Sequence, residues 1–245
     1  MTFTQKEKVK KYPESVSCIL PAYNELQNLG STVESCRKAL ERLFDDFEII
    51  IVDDGSTDGT KELGRRLAAD KPQVRALHHQ QNLGYGAALR TGFSSARNPL
   101  VFFTDADGQF QPLDLENFIP HLAENDMVVG FRSLRSDPWS RILYGKLFSA
   151  LIRVIFRVPV QDVNCAFKVF RRRTLEGVTL RSPGALVNAE LLIIAREKGI
   201  KPVEIPVSHF PRQHGRATGG SLKVILRASK ELIALIYRRF WKKEF

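Results

Sequence analysis

The 245-residue sequence contains few cysteines and no long apolar run. Cys18, Cys36 and Cys165 are odd in number and lack metal-ligand spacing, which argues against a disulfide scaffold and favours a reducing compartment. No apolar stretch reaches the roughly 20 residues of a transmembrane helix, because even Leu232 to Tyr237 is followed by two arginines. Met1 is not followed by the apolar segment that a secretory signal would contain. We therefore expect a cytoplasmic chain that does not span a membrane.

The sequence is basic, with 37 Lys and Arg against 27 Asp and Glu, so its formal net charge is +10. This surplus predicts attraction to an anionic partner, either a phosphorylated substrate, lipid headgroups or nucleic acid. No nucleic-acid motif accompanies the charge, so we do not expect nucleic acid as the partner. Apolar residues make up 43% of the chain, which is typical of globular proteins, and the length suits one large domain.

Short β-branched or aromatic strands alternate with helix-length segments in the first part of the chain. The predicted strands are Val16–Leu20, Phe47–Val52, Val74–His78 and Leu100–Thr104. This alternation predicts right-handed βαβ units and a mostly parallel sheet that is covered on both faces. A functional site is expected at the carboxyl ends of such strands.

The rest of the chain is predicted to add three strands and three helices. The strands are Met127–Phe131, Phe167–Phe170 and Val203–Val207, and the helices are Trp139–Phe156, Asn188–Lys198 and one that begins after Gly220. Trp139–Phe156 is an amphipathic helix, with an apolar stripe of Tyr144, Leu147, Phe148, Leu151, Ile152 and Ile155 opposite Lys146, Arg153 and Arg157. We divide the chain into a loose arm (1–15), an α/β domain (16–220) and a basic amphipathic C-terminal helix (221–245).

Acidic residues cluster where three of the four early strands end. These ends carry Pro21–Glu25 (PAYNE), Asp53–Thr60 (DDGSTDGT) and Asp105–Gln109 (DADGQ). Carboxylates that meet at one sheet edge repel each other, so they need a metal ion, hydrogen bonds or raised pKa values. Asp105 and Asp107 point to the same side of an extended segment and predict a Mg²⁺ or Mn²⁺ site, with Gln109 as a further ligand. A solvated turn is the alternative for this Asp-x-Asp pattern.

Four ordered motifs resemble glycosyltransferase family 2, whose members have a GT-A fold, and in particular its polyprenyl- or dolichyl-phosphate sugar synthases. These motifs are the three acidic segments and Asn82–Gly86 (NLGYG), and the resemblance extends over residues 16–220. Asn82–Gly86 lacks the G-x-G-x-x-G spacing of a dinucleotide-binding loop, which argues against a dehydrogenase. The resemblance implies a GT-A-type, Rossmann-like, mostly parallel sheet flanked by helices.

The resemblance also implies a nucleotide-sugar donor site. Its predicted residues are Pro21, Tyr23, Glu25, Val52, Asp54, Asp105, Ala106, Asp107, Gln109, Arg132, Arg212 and Arg216. The nucleoside would contact Pro21, Tyr23, Glu25 and Asp54, and the diphosphate-bound metal would contact Asp105, Asp107 and Gln109. A packed strand end is the alternative for Pro21 and Tyr23. Asp58 is expected to cap the following helix rather than to touch substrate.

Asp107, Arg132 and Asp162 are the predicted catalytic residues. Arg132 matches a family arginine that contacts the substrate phosphates, and its guanidinium suits that task; a surface arginine is the alternative. Asp162 matches the family acid near the acceptor and is the candidate base, with loop bracing as the alternative. Glu190 is a second candidate base, with a surface or bracing carboxylate as its alternative. A hydroxyl acceptor would need such a base, whereas a lipid phosphate is already ionised.

The segment His209–Gly220 is predicted to be a mobile basic loop that closes over the diphosphate with Arg212 and Arg216. The family's mannose synthases show Arg-x-x-Gly-Glu-Ser-Lys here, whereas this chain has Thr218 in place of the lysine. The segment at Asp162 likewise departs from their Asp-x-Thr-Ser-Gly-Phe-Arg. These departures bear on the sugar and the acceptor rather than on the fold.

The sequence therefore indicates an inverting, metal-dependent transfer of a sugar from a GDP- or UDP-sugar to a lipid-linked phosphate. The alternatives are a family 2 enzyme acting on a sugar or small-molecule hydroxyl, and a non-catalytic nucleotide-sugar or anionic-lipid binding module. A lipid acceptor predicts peripheral attachment to the cytoplasmic face of an anionic membrane, or recruitment by a separate membrane subunit. The basic residues expected to contact lipid are Lys223, Arg227, Lys230, Arg238, Arg239, Lys242 and Lys243.

Overall fold

The computed structural model describes residues 11–133, 139–215 and 222–242, whose strands form one seven-stranded sheet. The strands are β1 (Val16–Ala22), β2 (Phe47–Asp53), β3 (Val74–His78), β4 (Leu100–Thr104), β5 (Met127–Arg132), β6 (Phe167–Arg171) and β7 (Val203–Val207). The α-helices are α1 (Leu26–Leu43), α2 (Thr60–Asp70), α3 (Tyr85–Ser95), α4 (Ile119–Leu122), α5 (Trp139–Phe156), α6 (Val187–Glu197) and α7 (Leu222–Tyr237). Two 3₁₀ helices (Pro112–Asn117 and Arg172–Leu175) and a π-helical segment (Arg238–Lys242) complete the described elements.

The sheet has the order β3-β2-β1-β4-β6-β5-β7, and the pairs β1–β2, β1–β4, β2–β3 and β5–β7 are parallel. The predicted mostly parallel sheet is thereby confirmed. β6 runs antiparallel to both of its neighbours, with Thr104 opposite Phe167. The residues that precede β6 therefore lie at the same edge as the residues that follow β4.

Phenylalanines fill both faces of the sheet beside β4. Phe102 and Phe103 are adjacent in a strand, so their side chains point to opposite faces. The Phe103 ring lies 5.5 Å from that of Phe93 on α3, and the Phe102 ring lies 4.8 Å from that of Phe167. Such edge-to-face pairs add about 0.5–1.5 kcal/mol each to the burial energy. This packing anchors the strand from which Asp105 and Asp107 emerge.

Helix α1 is amphipathic and begins directly after Glu25. Its buried apolar residues recur every three or four positions: Leu29, Val33, Cys36, Ala39, Leu40 and Leu43. Each large aliphatic side chain buried in this way contributes roughly 1.5–3 kcal/mol. The same packing fixes the position of Glu25 relative to the end of β1.

Several boundaries differ from the sequence prediction. β1 continues to Ala22, so Pro21 belongs to the sheet. Within the predicted loose arm, Tyr12 donates its backbone N–H to the Leu43 carbonyl (2.8 Å) and Glu14 pairs with Arg171 (2.6 Å); residues 1–10 lie outside the described residues. The arm was thus predicted too long, because local composition gave no sign of these distant partners.

The apolar stripe predicted on α5 is divided in the structure. Ile152 is buried with Phe156, whereas Tyr144, Leu147 and Leu151 are exposed. The helix therefore packs on the domain through one side and presents a second apolar side to solvent. None of the described helices is both long enough and apolar enough to cross a membrane.

Two arginines of the predicted lipid-binding cluster are paired with acids of α6. Arg238 Nη1 lies 2.8 Å from Glu190 Oε1, and Arg239 Nη2 lies 2.9 Å from Glu197 Oε1. The expectation that both arginines face lipid is therefore wrong for this structure, because their charges are used within the protein. The side chains of Lys223, Arg227, Lys242 and Lys243 lie outside the described residues.

Candidate active site

The carboxyl ends of β1, β2 and β4 and the segment that precedes β6 meet at one edge of the sheet. They bring together Glu25, Asp54, Asp105, Asp107 and Asp162, as the order of the strands requires. Of the predicted donor residues, Pro21, Val52 and Ala106 are buried in the framework, whereas the Tyr23 side chain is exposed. Tyr23 is therefore available to a ligand. Pro21 instead agrees with the alternative to nucleoside contact, in which it packs at the end of a strand.

Asp105 and Asp107 form a close pair of carboxylates at the end of β4. Burial, followed by the negative charge of Asp107, raises the pKa of Asp105 to about 7. Among the described residues, the buried Oδ1 of Asp105 has no hydrogen-bond partner. Asp107 Oδ1 accepts the Gln109 backbone N–H at 3.1 Å. Two crowded carboxylates with an unsatisfied buried oxygen are suited to a cation.

A divalent metal fits these two acids when substrate supplies further oxygens. No group of three or more His, Cys, Asp or Glu side chains that could hold a metal occurs in the described part of the chain. Mg²⁺ and similar hard ions are commonly held by one or two carboxylates together with water and substrate phosphates. The side chain of Gln109 donates to the Phe210 carbonyl at 3.0 Å, so its role as a metal ligand stays a prediction.

Arg212 connects the segment after β7 to the acids of the site. Its guanidinium contacts Glu25, and its Nη1 lies 3.4 Å from Asp107 Oδ2. Glu25 also accepts from the Asn28 side chain at 2.7 Å, and burial raises the pKa of Glu25. The Phe210 backbone N–H donates to the Gln109 carbonyl at 2.8 Å, so this segment lies across the end of β4. Arg216, predicted to act beside Arg212, lies outside the described residues.

Asp54 organises the loop that leads into α3. It is 2% exposed, and its carboxylate accepts the backbone N–H groups of Leu83 (2.9 Å) and Gly84 (2.8 Å). The His79 Nδ1 lies 2.7 Å from the same carboxylate. A carboxylate with three protein partners shapes the loop, whereas its predicted direct contact with a nucleoside stays a prediction.

The Asp53–Thr60 segment ties together the starts of two helices. Asp58 accepts the backbone N–H groups of Leu26 at the start of α1 (3.1 Å) and Thr60 at the start of α2 (3.0 Å). The expected capping role of Asp58 is thus confirmed and extends to a second helix. Gly55 has φ +72°, and a Cβ there would lie 2.4 Å from the backbone carbonyl carbon of Gln81. Only glycine fits this close approach of two loops.

Asp162 and Arg132 form a bidentate ion pair. The Arg132 Nε lies 2.7 Å from Asp162 Oδ2, and its Nη2 lies 2.8 Å from Oδ1. A carboxylate whose two oxygens both face a guanidinium is poorly placed to remove a proton from an acceptor. The predicted roles of the two residues, base and phosphate ligand, would each require this pair to open.

Glu190 is a bracing carboxylate rather than a second base. It is fully buried and accepts the backbone N–H groups of Arg181 (2.9 Å) and Ser182 (2.7 Å), in addition to its pair with Arg238. Of the two roles that the sequence left open for Glu190, the structural one is therefore correct.

Three residues that the sequence analysis did not place at the site lie directly behind it. The half-buried Tyr85 side chain places its buried hydroxyl close to Asp105 and Asn188, and burial of that hydroxyl raises the pKa of Tyr85. Lys168 donates to the carbonyls of Val163 (3.2 Å) and Cys165 and to Asn188 Oδ1 (3.0 Å). Burial lowers the pKa of Lys168 to about 8. The sequence feature that could have indicated this network is Lys168, a lysine among the apolar residues of β6.

Comparison with known proteins agrees with the sequence motifs and the fold. Residues 17–179 match the family described as glycosyl transferase family 2. The polyprenol monophosphomannose synthase of Mycolicibacterium smegmatis is 30% identical over 80% of this chain and 78% of its own. An undecaprenyl-phosphate 4-deoxy-4-formamido-L-arabinose transferase of Aeromonas hydrophila is 29% identical over 86% of this chain. The glycosyltransferase AglD of Haloferax volcanii is 29% identical over 93% of this chain.

The chain spans only 37% of the length of the Haloferax protein and 64% of that of the Aeromonas protein.

Among solved structures, glucosyl-3-phosphoglycerate synthase from Mycobacterium tuberculosis, in complex with Mn²⁺, UDP and glucosyl-3-phosphoglycerate, has a TM-score of 0.68. It is 22% identical, and the match covers 92% of this chain and 80% of that one. At this identity the likeness confirms the predicted GT-A-type fold. Residues 17–179, two thirds of the chain, match the family, and the fold agrees with it. This chain therefore belongs to glycosyl transferase family 2.

Proposed function

We propose that this chain transfers a sugar from a nucleotide-sugar to the phosphate of a lipid-linked acceptor. Two of the relatives support this acceptor class, because their names specify a polyprenol monophosphomannose product and transfer involving undecaprenyl phosphate. The main structural observation in support of the proposal is the Arg132–Asp162 ion pair. An ionised phosphate needs no base, so a site whose candidate base is held by arginine suits a phosphate better than a hydroxyl.

The reaction is a single displacement. A phosphate oxygen of the acceptor forms a bond to the anomeric carbon from the side opposite the nucleoside diphosphate, whose bond to that carbon breaks. The anomeric configuration is thereby inverted, and no proton needs to move. Asp105 and Asp107 would hold Mg²⁺ or Mn²⁺, which supplies countercharge to the diphosphate.

Several residues would bind and orient the two substrates. Tyr23, at the exposed end of β1, would contact the nucleoside of a UDP- or GDP-sugar, on the side of the site where Asp54 shapes the loop. Arg212 would exchange its contact with Asp107 for the diphosphate. Arg132, released from Asp162, would face the acceptor phosphate. These assignments follow from position and charge.

The acceptor would be reached by docking on the cytoplasmic face of an anionic membrane. Leu143, Leu147, Leu151 and Val154 of α5 are exposed and recur every three or four residues, which places them on one side of the helix. On the last helical segments Tyr237, Phe240 and Trp241 are also exposed. Phe156 and Phe240 stack with ring centroids 6.2 Å apart, so the ends of these helices are adjacent. Exposed aromatic and aliphatic side chains on neighbouring helices suit a lipid interface.

Transfer of radiolabelled sugar tests this function. Polyprenyl phosphate in vesicles and soluble sugar acceptors would be offered with UDP- and GDP-sugars, using wild type and Asp107→Asn. We expect lipid-linked product that depends on divalent metal and falls at least about 100-fold in Asp107→Asn, because the diphosphate loses its countercharge. Undiminished turnover in excess EDTA would exclude the metal role. Product on soluble hydroxyls alone would favour the other enzyme class, and donor binding without any transfer would indicate a binding module.

A further inference from the structure

Helix α6 carries a fully buried carboxylate that is paired with an arginine beyond the end of α7. Glu190 is 0% exposed, and its Oε1 lies 2.8 Å from Arg238 Nη1. Removing one partner of such a pair would leave a buried charge without compensation, so the two residues are held together. The pair therefore fixes the end of α7 against the first turn of α6.

The other oxygen of Glu190 organises the segment that precedes α6. Oε2 accepts the backbone N–H groups of Arg181 and Ser182. The carbonyl of the next residue, Pro183, accepts the Gly86 N–H at 2.8 Å. A Cβ on Gly86 would lie 2.1 Å from the Ser182 carbonyl oxygen. The contact is so close that a shift of this segment would displace the start of α3.

The start of α3 and the start of α6 both border the candidate active site. Tyr85, immediately before Gly86, lies close to Asp105 and Asn188. Asn188 belongs to the first turn of α6 and accepts from Lys168 Nζ at 3.0 Å. Glu190 is thus connected to the surroundings of Asp105 through the Arg181–Pro183 segment and through its own helix.

We propose that Arg238 and Glu190 are positioning residues: the placement of Tyr85 beside Asp105, and of Asn188 beside Tyr85, depends on how α7 packs against the domain. This inference rests on the proposed sugar transfer. Tyr237 at the end of α7 and Trp241 just after it are exposed, so the same pair connects the proposed membrane-facing side to the site. Turnover is expected to depend on the pair more than nucleoside binding does, since Tyr23 follows β1 and lies outside these contacts.

The test compares Arg238→Gln with Arg239→Gln, a matched control whose partner Glu197 is at the end of α6. We expect Arg238→Gln to lower kcat about tenfold with a smaller change in the donor KM, and Arg239→Gln to leave both near wild type. Amide hydrogen exchange at Gly86 and Ser182 should accelerate only in the Arg238 variant. Arg238→Lys should restore part of both properties, because it keeps the charge.

Glu190→Gln provides the second arm, since its amide oxygen can still accept the backbone N–H groups. The double variant Arg238→Gln with Glu190→Gln should have a kcat no lower than that of either single variant, because both substitutions remove the same ion pair. Equal kcat and equal exchange in the Arg238 and Arg239 variants would overturn the proposal. Unfolding of both Arg238→Gln and Glu190→Gln would also overturn it, since the pair would then only hold the fold. If wild type transfers no sugar, the proposed function fails, whereas the exchange at Gly86 and Ser182 still decides whether the pair positions α3.

Discussion

The guanidinium of Arg212 lies against the carboxylate of Asp107, with 3.4 Å between Nη1 and Oδ2. Arg212 is only 18% exposed and also contacts Glu25, so its positive charge lies between two acids of the site. A guanidinium in this place reduces the repulsion between the acids. It is also within reach of any anion that approaches Asp107.

Replacing Arg212 is expected to separate metal binding from nucleotide binding. In Arg212→Ala, Mn²⁺ alone should bind more tightly because a competing cation is gone, whereas UDP or GDP in the presence of Mn²⁺ should bind roughly tenfold more weakly because a charged contact is lost. Arg212→Lys should be intermediate, since an ammonium lacks the planar fork. Calorimetric titration measures both affinities. Weaker binding of Mn²⁺ alone in Arg212→Ala would show that Arg212 does not compete with the metal.

Metal binding should depend on pH through Asp105, whose pKa is raised to about 7. Below that pH the metal must displace a proton, so its affinity should fall by up to about tenfold per pH unit and level off above pH 7. At pH 7, about half a proton should be released per metal bound, as measured by calorimetry in buffers of different ionisation enthalpy. The control Asp105→Asn should release none. Proton release that persists in Asp105→Asn would assign the titration to another group.

The same shift has a consequence for stability in the absence of metal. The folded-state pKa of Asp105 lies above its ordinary value of 3.8, so the protonated form favours folding below pH 4. That contribution is lost as pH rises through 7, and the free energy of unfolding should fall over this window. Denaturant titrations of wild type and Asp105→Asn would measure it. An unchanged pH profile in the variant would contradict the assignment to Asp105.

Asp54→Ala should weaken donor binding about 10- to 100-fold by loosening the Leu83–Gly84 loop rather than by removing a ligand contact. Amide exchange at Leu83 and Gly84 should accelerate in the variant without donor. Asp58→Ala serves as the control, because it removes a cap at α1 and α2 and leaves this loop intact. If donor affinity falls while exchange at Leu83 and Gly84 stays slow, Asp54 contacts the nucleoside directly.

Asp162→Asn should lower turnover while donor affinity is largely kept, because the substitution acts through Arg132. A double-mutant cycle with Arg132→Gln should be strongly non-additive, since both substitutions break one ion pair. The pH–rate profile with a lipid-phosphate acceptor should show no limb that Asp162→Asn removes. Additive effects together with the loss of such a limb would identify Asp162 as a base.

Vesicle flotation should depend on α5 rather than on Arg239. Leu147 and Leu151 are exposed, so Leu147→Gln with Leu151→Gln should weaken binding to anionic vesicles and leave the fold intact, whereas Arg239→Gln should bind as wild type does. High salt and purely zwitterionic lipid should each weaken binding only moderately, because Arg238 and Arg239 are paired within the protein. Wild-type protein that stays unbound at low salt would favour recruitment by a membrane subunit.

The order of elements and the acidic edge of the sheet could be predicted from the sequence because their signals are local. Strand patterns depend on neighbouring residues, and the carboxyl ends of parallel strands meet at one edge whatever the details of packing. The sequence therefore predicts that Asp54, Asp105 and Asp107 follow strands at one edge of the sheet, and the observed strand order agrees. The antiparallel direction of β6 was not predicted, because strand direction depends on the path of the chain between strands.

Only the tertiary structure decided which charges are paired. Arg132 meets Asp162 30 residues away, Arg238 meets Glu190 48 residues away, and Arg212 meets Glu25 187 residues away. A sequence shows that these residues carry charge, but the partner of each is chosen by the sheet order and the helix packing that bring distant segments within hydrogen-bond reach. The same reason explains why Lys168 and Asn188 were missed and why the stripe on α5 was divided. Whether a side chain is buried depends on contacts between segments that are distant in the sequence, so it cannot be read from one segment alone.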